Sequence, residues 1–162
     1  MPAGHFDQLG NACLKFHLCG IRHPEPGLEF EGIIDTGFTG FIQLPIQHAF
    51  SLKLPLDGTV SVTLADGSST VCLTVLARTT FDGETKLGVV SLESNSQEIL
   101  IGMDFLRKFK KSVIIAKNDV LILEEDWLEK LKSMSAEKPT EAETNPSSPT
   151  EPAPPSGQSV SS

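Results

Sequence analysis

Positive charge is scarce in this sequence. Thirteen Lys and Arg stand against 21 Asp and Glu, a formal net charge of -8, which repels phosphate backbones and anionic lipid surfaces and excludes nucleic acid as an expected partner. Cysteine is sparse too: Cys13, Cys19 and Cys72 are odd in number and show no C-x-x-C spacing, so neither a disulfide framework nor a zinc knuckle is suggested. Three buried, reduced thiols are expected instead. No stretch approaches the roughly 18 apolar residues of a membrane helix. The opening Met1-Pro-Ala-Gly-His5 lacks the basic-then-apolar order of a secretory leader. A soluble, cytoplasmic protein with no membrane partner is the expectation.

Several chemistries lack their residues as well. His5, His17, His23 and His48 form no H-E-x-x-H and no paired His-Cys spacing, so no metal site is expected. Ser68 and Ser69 stand outside any G-x-S-x-G setting, and no cysteine has a local nucleophile signature. No repeat at a solenoid period is present. With 162 residues, one domain with appendages is the natural size class.

What is present is a succession of short alternating runs separated by turns. Leu14, Phe16 and Leu18 interleave with Lys15 and His17, the pattern of a half-buried strand. After Pro24-Glu-Pro-Gly27, a second strand, Leu28 to Ile34, becomes continuously apolar toward its end. Val60, Val62 and Leu64 alternate, and Val71 to Leu76 resumes the pattern after Ala65-Asp66-Gly67-Ser68; an Asp-Gly between alternating runs signals a hairpin. Further strands read at Leu87 to Leu92, Val113 to Ala116 and Val120 to Leu123.

Helix signals are few. Asp104 is placed to cap a short helix carrying Phe105, Leu106 and Phe109; Asp126 to Glu129 has capping-box spacing; Pro45 to Ser51 can add a turn. The basic run Arg107 to Lys111 reads as a solvated face at a helix C-terminus. Trp127, Leu128 and Leu131 form a stripe expected to dock on the same domain. Residues 1–12 are expected to be a poorly ordered lead-in and 134–162, rich in Pro, Ser, Thr and Glu, a disordered tail. The domain is then 13–133.

Chemistry concentrates at Ile33-Ile34-Asp35-Thr36-Gly37. An Asp ending an apolar strand puts a carboxylate on a loop anchored in the core, Thr36 offers a hydroxyl to fix that loop, and Gly37 leaves room for a second backbone. The bare tripeptide also suits a strand-ending Asx turn. Amide hydrolysis needs one group to take a proton from water and another to give one to the substrate. Two carboxylates about 3 Å apart do both, because like charges so close share one proton. The sequence has one Asp-Thr-Gly, so the second carboxylate must come from another copy across a two-fold axis.

Downstream, Ile99-Leu-Ile-Gly102 followed by Asp104-Phe-Leu106 supplies context. Together with the Asp35 segment it resembles the retropepsin-like (retroviral-type, clan AA) aspartic proteases over about Leu14 to Leu123. Asp-Thr-Gly-Phe-Thr-Gly40 is similar to small prokaryotic members, and Lys117 to Leu123 looks like the protease domain of eukaryotic DNA-damage-inducible proteins. The resemblance implies an all-β fold, a closed barrel with one or two short helices, and a homodimer acting on a peptide or protein substrate without a cofactor. It also implies catalytic Asp35 supported by Thr36 and Gly37, packing of the Gly102 strand against that loop, and a β-hairpin flap. By position the flap falls at Ala65, Asp66, Gly67 and Ser68, which also suit an ordinary surface hairpin. Viral members have a small residue and then Asp after Asp-Thr-Gly, and Arg after the second-motif Gly; here stand Phe38, Thr39 and Met103. Loss of both charges together avoids a lone buried ion. These departures keep open a second reading, a catalytically silent dimeric peptide-binding or adaptor domain on the same fold.

Overall fold

The computed structural model describes residues 4–23, 27–63 and 67–136. Strand β2 (Ala12–Gly20) buries Leu14, Phe16 and Leu18 and leaves Lys15 exposed, because successive side chains of a strand point to opposite faces. It runs antiparallel to β3 (Leu28–Ile34), with Phe16 opposite Phe30. Ahead of it β1 (His5–Phe6) pairs with Cys13 and Ala12. A loose lead-in was expected there; backbone pairing ties it to the sheet edge instead.

Past Asp35, β4 (Ile42–Pro45) runs directly into helix α1 (Ile46–Ser51). Strands β5 (Leu56–Thr63) and β6 (Ser69–Phe81) form a hairpin whose last pair is Thr63 with Ser69. β6 continues into β7 (Glu84–Glu93) through Asp82 and Gly83, at φ 50° and 79°. A two-residue hairpin turn that follows the strands' twist needs positive φ at both positions, and Asp-Gly tolerates it well. The remaining elements are β8 (Leu100–Ile101), α2 (Met103–Lys108), β9 (Lys111–Ile115), β10 (Val120–Glu124) and α3 (Trp127–Ala136).

Pairing order closes the sheet on itself. The chain of neighbours β2-β3-β8-β4-β7-β6 returns to β2 through pairs from His17–Thr80 to Gly20–Ala77. Six strands thus form a ring, with β1 and β5 attached outside it. Most pairs are antiparallel; β3 with β8 and β4 with β7 are parallel. The closed all-β architecture expected from the sequence is the one observed.

The interior is aromatic where α2 plugs the ring. Phe105 is fully buried, its ring centroid 4.6 Å from that of Phe109, 5.3 Å from Phe81, 5.5 Å from Phe41 and 5.9 Å from Phe16. These separations lie within the range of attractive tilted and edge-on ring pairs. Burying this cluster fixes α2, and with it the backbone just before it.

Four further expectations need correction. Gly102, not Asp104, is the N-cap of α2, in extended conformation and without a side-chain cap bond; Asp104 sits in the first turn, where its charge suits the helix dipole. Lys111 is not solvated: its side chain is 7% exposed and its ammonium bridges Asp82 and, at 2.6 Å, Glu124. Leu128 and Leu131, each 51% exposed, are not docked on the domain. Finally, α3 carries helix through Ala136, past the expected boundary at 133; residues 137–162 lie outside the described residues. Among the described residues no helix is long and apolar enough to cross a membrane.

Candidate active site

Asp35 stands at the exit of β3, and its position follows from the pairing of β8. Ile33 and Ile34 lie beside Leu100 and Ile101. The Ile33 amide donates to the Ile99 carbonyl at 2.8 Å and the Asp35 amide to that of Ile101 at 3.0 Å. On its other side β8 pairs antiparallel with β4, Ile42 opposite Ile101. Both strands flanking the 35–41 loop are therefore clamped to one short strand, and the loop arches over its end.

Beyond Ile101 the chain meets that loop backbone to backbone. The amides of Gly102, Met103 and Asp104 donate to the carbonyls of Phe41 (3.0 Å), Phe38 (2.9 Å) and Gly40 (3.1 Å). Such contact tolerates no side chain at Gly102: a Cβ would collide with the Gly40 carbonyl oxygen and lie 2.6 Å from a Phe38 ring carbon. The Gly102 segment was expected to pack on the Asp35 loop, and it does so through these three bonds.

Within the loop, the Gly37 amide donates to Asp35 Oδ1 at 2.8 Å and the Phe38 amide to the Asp35 carbonyl at 3.2 Å. Asp35 is half-buried, with Thr36 and Gly37 exposed beside it. The Thr36 hydroxyl has no hydrogen-bond partner among the described residues; the bond that orients the carboxylate comes from Gly37. A Cβ at Gly37 would meet only Asp35 Oδ1, at 3.2 Å, so the space above it is open. No other carboxylate lies in the loop: within one chain, Asp35 is a single acid on a rigid arch.

A recess of about 550 Å³ opens beside the arch, within the range of small-molecule and peptide subsites. Its floor is Gly37 to Phe41, and its sides are Val60, Ser61 and Thr63 of β5, Thr74 of β6, and Val89 and Ser91 of β7. Among the described residues, Asp104 is the one charged residue of this wall. Lys108 lies 3.6 Å from it and also donates to the Leu87 carbonyl at 3.1 Å, its ammonium 5.2 Å from the Phe41 ring centroid. Sequence reasoning missed Asp104, Ser91 and Thr74 as wall residues; they come from three separate elements, and only the ring topology brings them together.

The β5–β6 hairpin borders this recess. Of the four residues expected at its tip, Gly67 is exposed at φ 82° with open space around it, and Ser68 is exposed next to it. Ala65 and Asp66 lie outside the described residues. Cys13, Cys19 and Cys72 are all buried and unpaired by disulfides, as expected.

No family model and no curated protein matches this chain. Solved structures do. A retropepsin-like aspartic protease from Rickettsia conorii superposes with a TM-score of 0.56 at 17% identity, over 74% of this chain and 86% of that one. EIAV protease, complexed with the inhibitor HBY-793, does so with a TM-score of 0.53 at 11% identity, over 68% of this chain and 98% of that one. Shared arrangement at such low identity is a statement about architecture: the chain has the retropepsin-like aspartic protease fold.

Proposed function

We propose that this protein is an aspartic endopeptidase that works as a homodimer, each chain supplying one Asp35. The observation that carries this reading is the Asp35 arch. A half-buried carboxylate is held by one amide hydrogen bond on a loop clamped at both ends by β8, and the Gly37 that holds it lines a recess of peptide-subsite size. Fold likeness to two aspartic proteases, one of them named with an inhibitor bound, supports it.

In the dimer, two Asp35 carboxylates brought within about 3 Å share one proton. The ionised member takes a proton from a water molecule lying between them, and the resulting hydroxide adds to the substrate carbonyl carbon. The protonated member gives its proton to the carbonyl oxygen. The first member then gives the proton it took from water to the amide nitrogen, the second takes a proton back from a hydroxyl of the tetrahedral intermediate, and the carbon–nitrogen bond breaks to leave an acid, an amine and the starting pair. Titration belongs to the pair and not to either residue. Gly37 to Gly40 and the β5–β6 hairpin, with its tip at residues 65–68, hold the extended peptide and exclude bulk water. Three buried, unbridged thiols suit a cytoplasmic setting.

The peptide-binding alternative would gain if Phe38 filled the groove. Phe38 instead packs down on Gly40 and Gly102 and leaves the recess open, which favours the enzyme. The test is hydrolysis of a peptide library followed by mass spectrometry, with Asp35→Asn in parallel and sedimentation to measure the dimer. Loss of cleavage in a folded, dimeric Asp35→Asn protein is expected. Equal cleavage by both would end the assignment.

A further inference from the structure

The arch contains an aromatic ring seated on bare backbone. A Cβ added at Gly40 would have ring atoms of Phe38 as its three nearest neighbours, one at 2.6 Å; one added at Gly102 would meet the same ring at 2.6 Å. Two glycines from different segments thus form a flat bed for one phenyl group. Neither has a positive φ, so neither is glycine for conformational reasons. Their shared feature is the ring above them.

Phe38 also lines the recess floor together with Gly37, the residue whose amide holds the Asp35 carboxylate. Phe38 is held from below by the glycines and along its backbone by the bonds to Asp35 and Met103. A ring bedded in this way cannot sink deeper to admit a bulky guest, because the Gly40 and Gly102 backbone lies directly beneath it and close-packed atoms resist displacement. We infer that Phe38 is a specificity-determining residue: its ring, keyed onto Gly40 and Gly102, sets the depth of the subsite nearest Asp35 and limits the substrate side chain placed there. The inference rests on reading the recess as the substrate groove. It adds which residue sets the size limit, and why Gly40 and Gly102 accompany it.

Its test separates the two readings by measuring binding and not turnover. Full-length protein carrying Asp35→Asn is titrated with labelled peptides that differ only in the size of one side chain. The same is done with Phe38→Ala, Phe38→Leu, Gly40→Ala and the Phe38→Ala/Gly40→Ala pair added. Removing the ring should shift preference toward bulkier side chains by about tenfold or more, the discrimination of one methylene-sized change in an apolar pocket. Leucine should give an intermediate preference. Gly40→Ala alone should lift the ring into the recess and shift preference toward smaller side chains, yet have no further effect once the ring is gone.

Circular dichroism and sedimentation on each variant identify those that fold. Phe38→Leu and Gly40→Ala keep the question answerable if Phe38→Ala does not. An unchanged order of side-chain preference, a Gly40→Ala effect that persists without the ring, or no peptide binding by any variant overturns the inference. The expected shift in a protein whose Asp35 form cleaves nothing would overturn the peptidase assignment and leave the role of Phe38 standing.

Discussion

Replacing Gly102 with alanine puts a methyl group where the loop backbone already stands. The new carbon would collide with the Gly40 carbonyl oxygen and sit 2.6 Å from Phe38 Cδ1 and 2.7 Å from the Phe38 carbonyl oxygen. Carbon contacts are comfortable near 3.5 to 4.0 Å, so the arch must retreat by about 1 Å. Two of the three obstacles are backbone atoms, and no rotamer change relieves them. Overpacking of this kind costs about 1 to 3 kcal/mol. Retreat also stretches the three amide bonds from Gly102, Met103 and Asp104, and loss of one costs about 1 kcal/mol more. A total of about 3 kcal/mol should lower the melting temperature by roughly 10–15 °C in a domain of this size. If Asp35 acts as proposed, a shift of this size should also cut kcat about 100-fold. Calorimetry and peptide hydrolysis read the two effects. Gly58→Ala is the control, since its Cβ would meet only Thr74 Oγ1 at 3.7 Å. A Gly102→Ala protein that melts with the wild type would refute the claim that backbone contact at this point holds the arch.

Other parts of the structure make separate predictions. Burial disfavours the charge on Lys111, but hydrogen bonds to Asp82 and Glu124 outweigh it and leave the pKa above the usual 10.5. A raised folded-state pKa stabilises fully below the unfolded value and is lost as pH climbs through the folded one. Urea midpoints should therefore fall in strongly alkaline solution, and Lys111→Met should remove that part of the fall; an identical alkaline profile in the variant contradicts the bridge. Burial, aided by the charges of Asp7 and Glu31, pushes the Cys13 thiol up to about 11, and burial raises Cys72. Thiol-directed reagents at mildly alkaline pH should modify the native protein slowly and the unfolded protein at once; rapid labelling of native protein would show an exposed thiolate. Phe105→Ala should cost about 3 to 5 kcal/mol in urea denaturation, because four neighbouring rings lose their common partner. A loss under about 1 kcal/mol would mean that the cluster repacks freely.

Legibility in the sequence followed locality. β2 and β3 could be read because Leu14, Phe16 and Leu18 alternate with polar residues and Ile33-Ile34 run apolar into the centre. Asp35 and Gly102 stood out as short motifs, and their contact was anticipated. The Asp82-Gly83 turn was equally local and was passed over, although Asp-Gly between Phe81 and Glu84 carries the same signal as Asp66-Gly67. β4 escaped notice because four residues, Ile42-Gln-Leu-Pro45, give too little alternation to separate strand from the helix that follows. Insertion of β8 between β3 and β4 was not legible at all: two residues pair with partners nearly sixty to seventy positions away. The helix cap at Gly102 defeated the capping rule since the amides it should leave for a side chain are taken by the loop carbonyls of Phe38 and Gly40. Lys111 was misjudged for the same reason, its two acidic partners lying on separate turns and strands.

The length of β6 has a mechanical consequence. From Ala77 to Thr80 it is bonded on both sides, to β2 and to β7, whereas from Ser69 to Cys72 it is bonded only to β5. Stiffness of a ribbon drops where one neighbour is lost. The hairpin is therefore a cantilever, built into the barrel wall at the end where β2 and β7 flank it. Its flexing point lies near Leu73 to Val75, where β7 takes over as the second neighbour. A beam mounted this way can bend without breaking a rung of the closed ring, so if the hairpin acts as the proposed flap, the strands that carry Asp35 need not move with it.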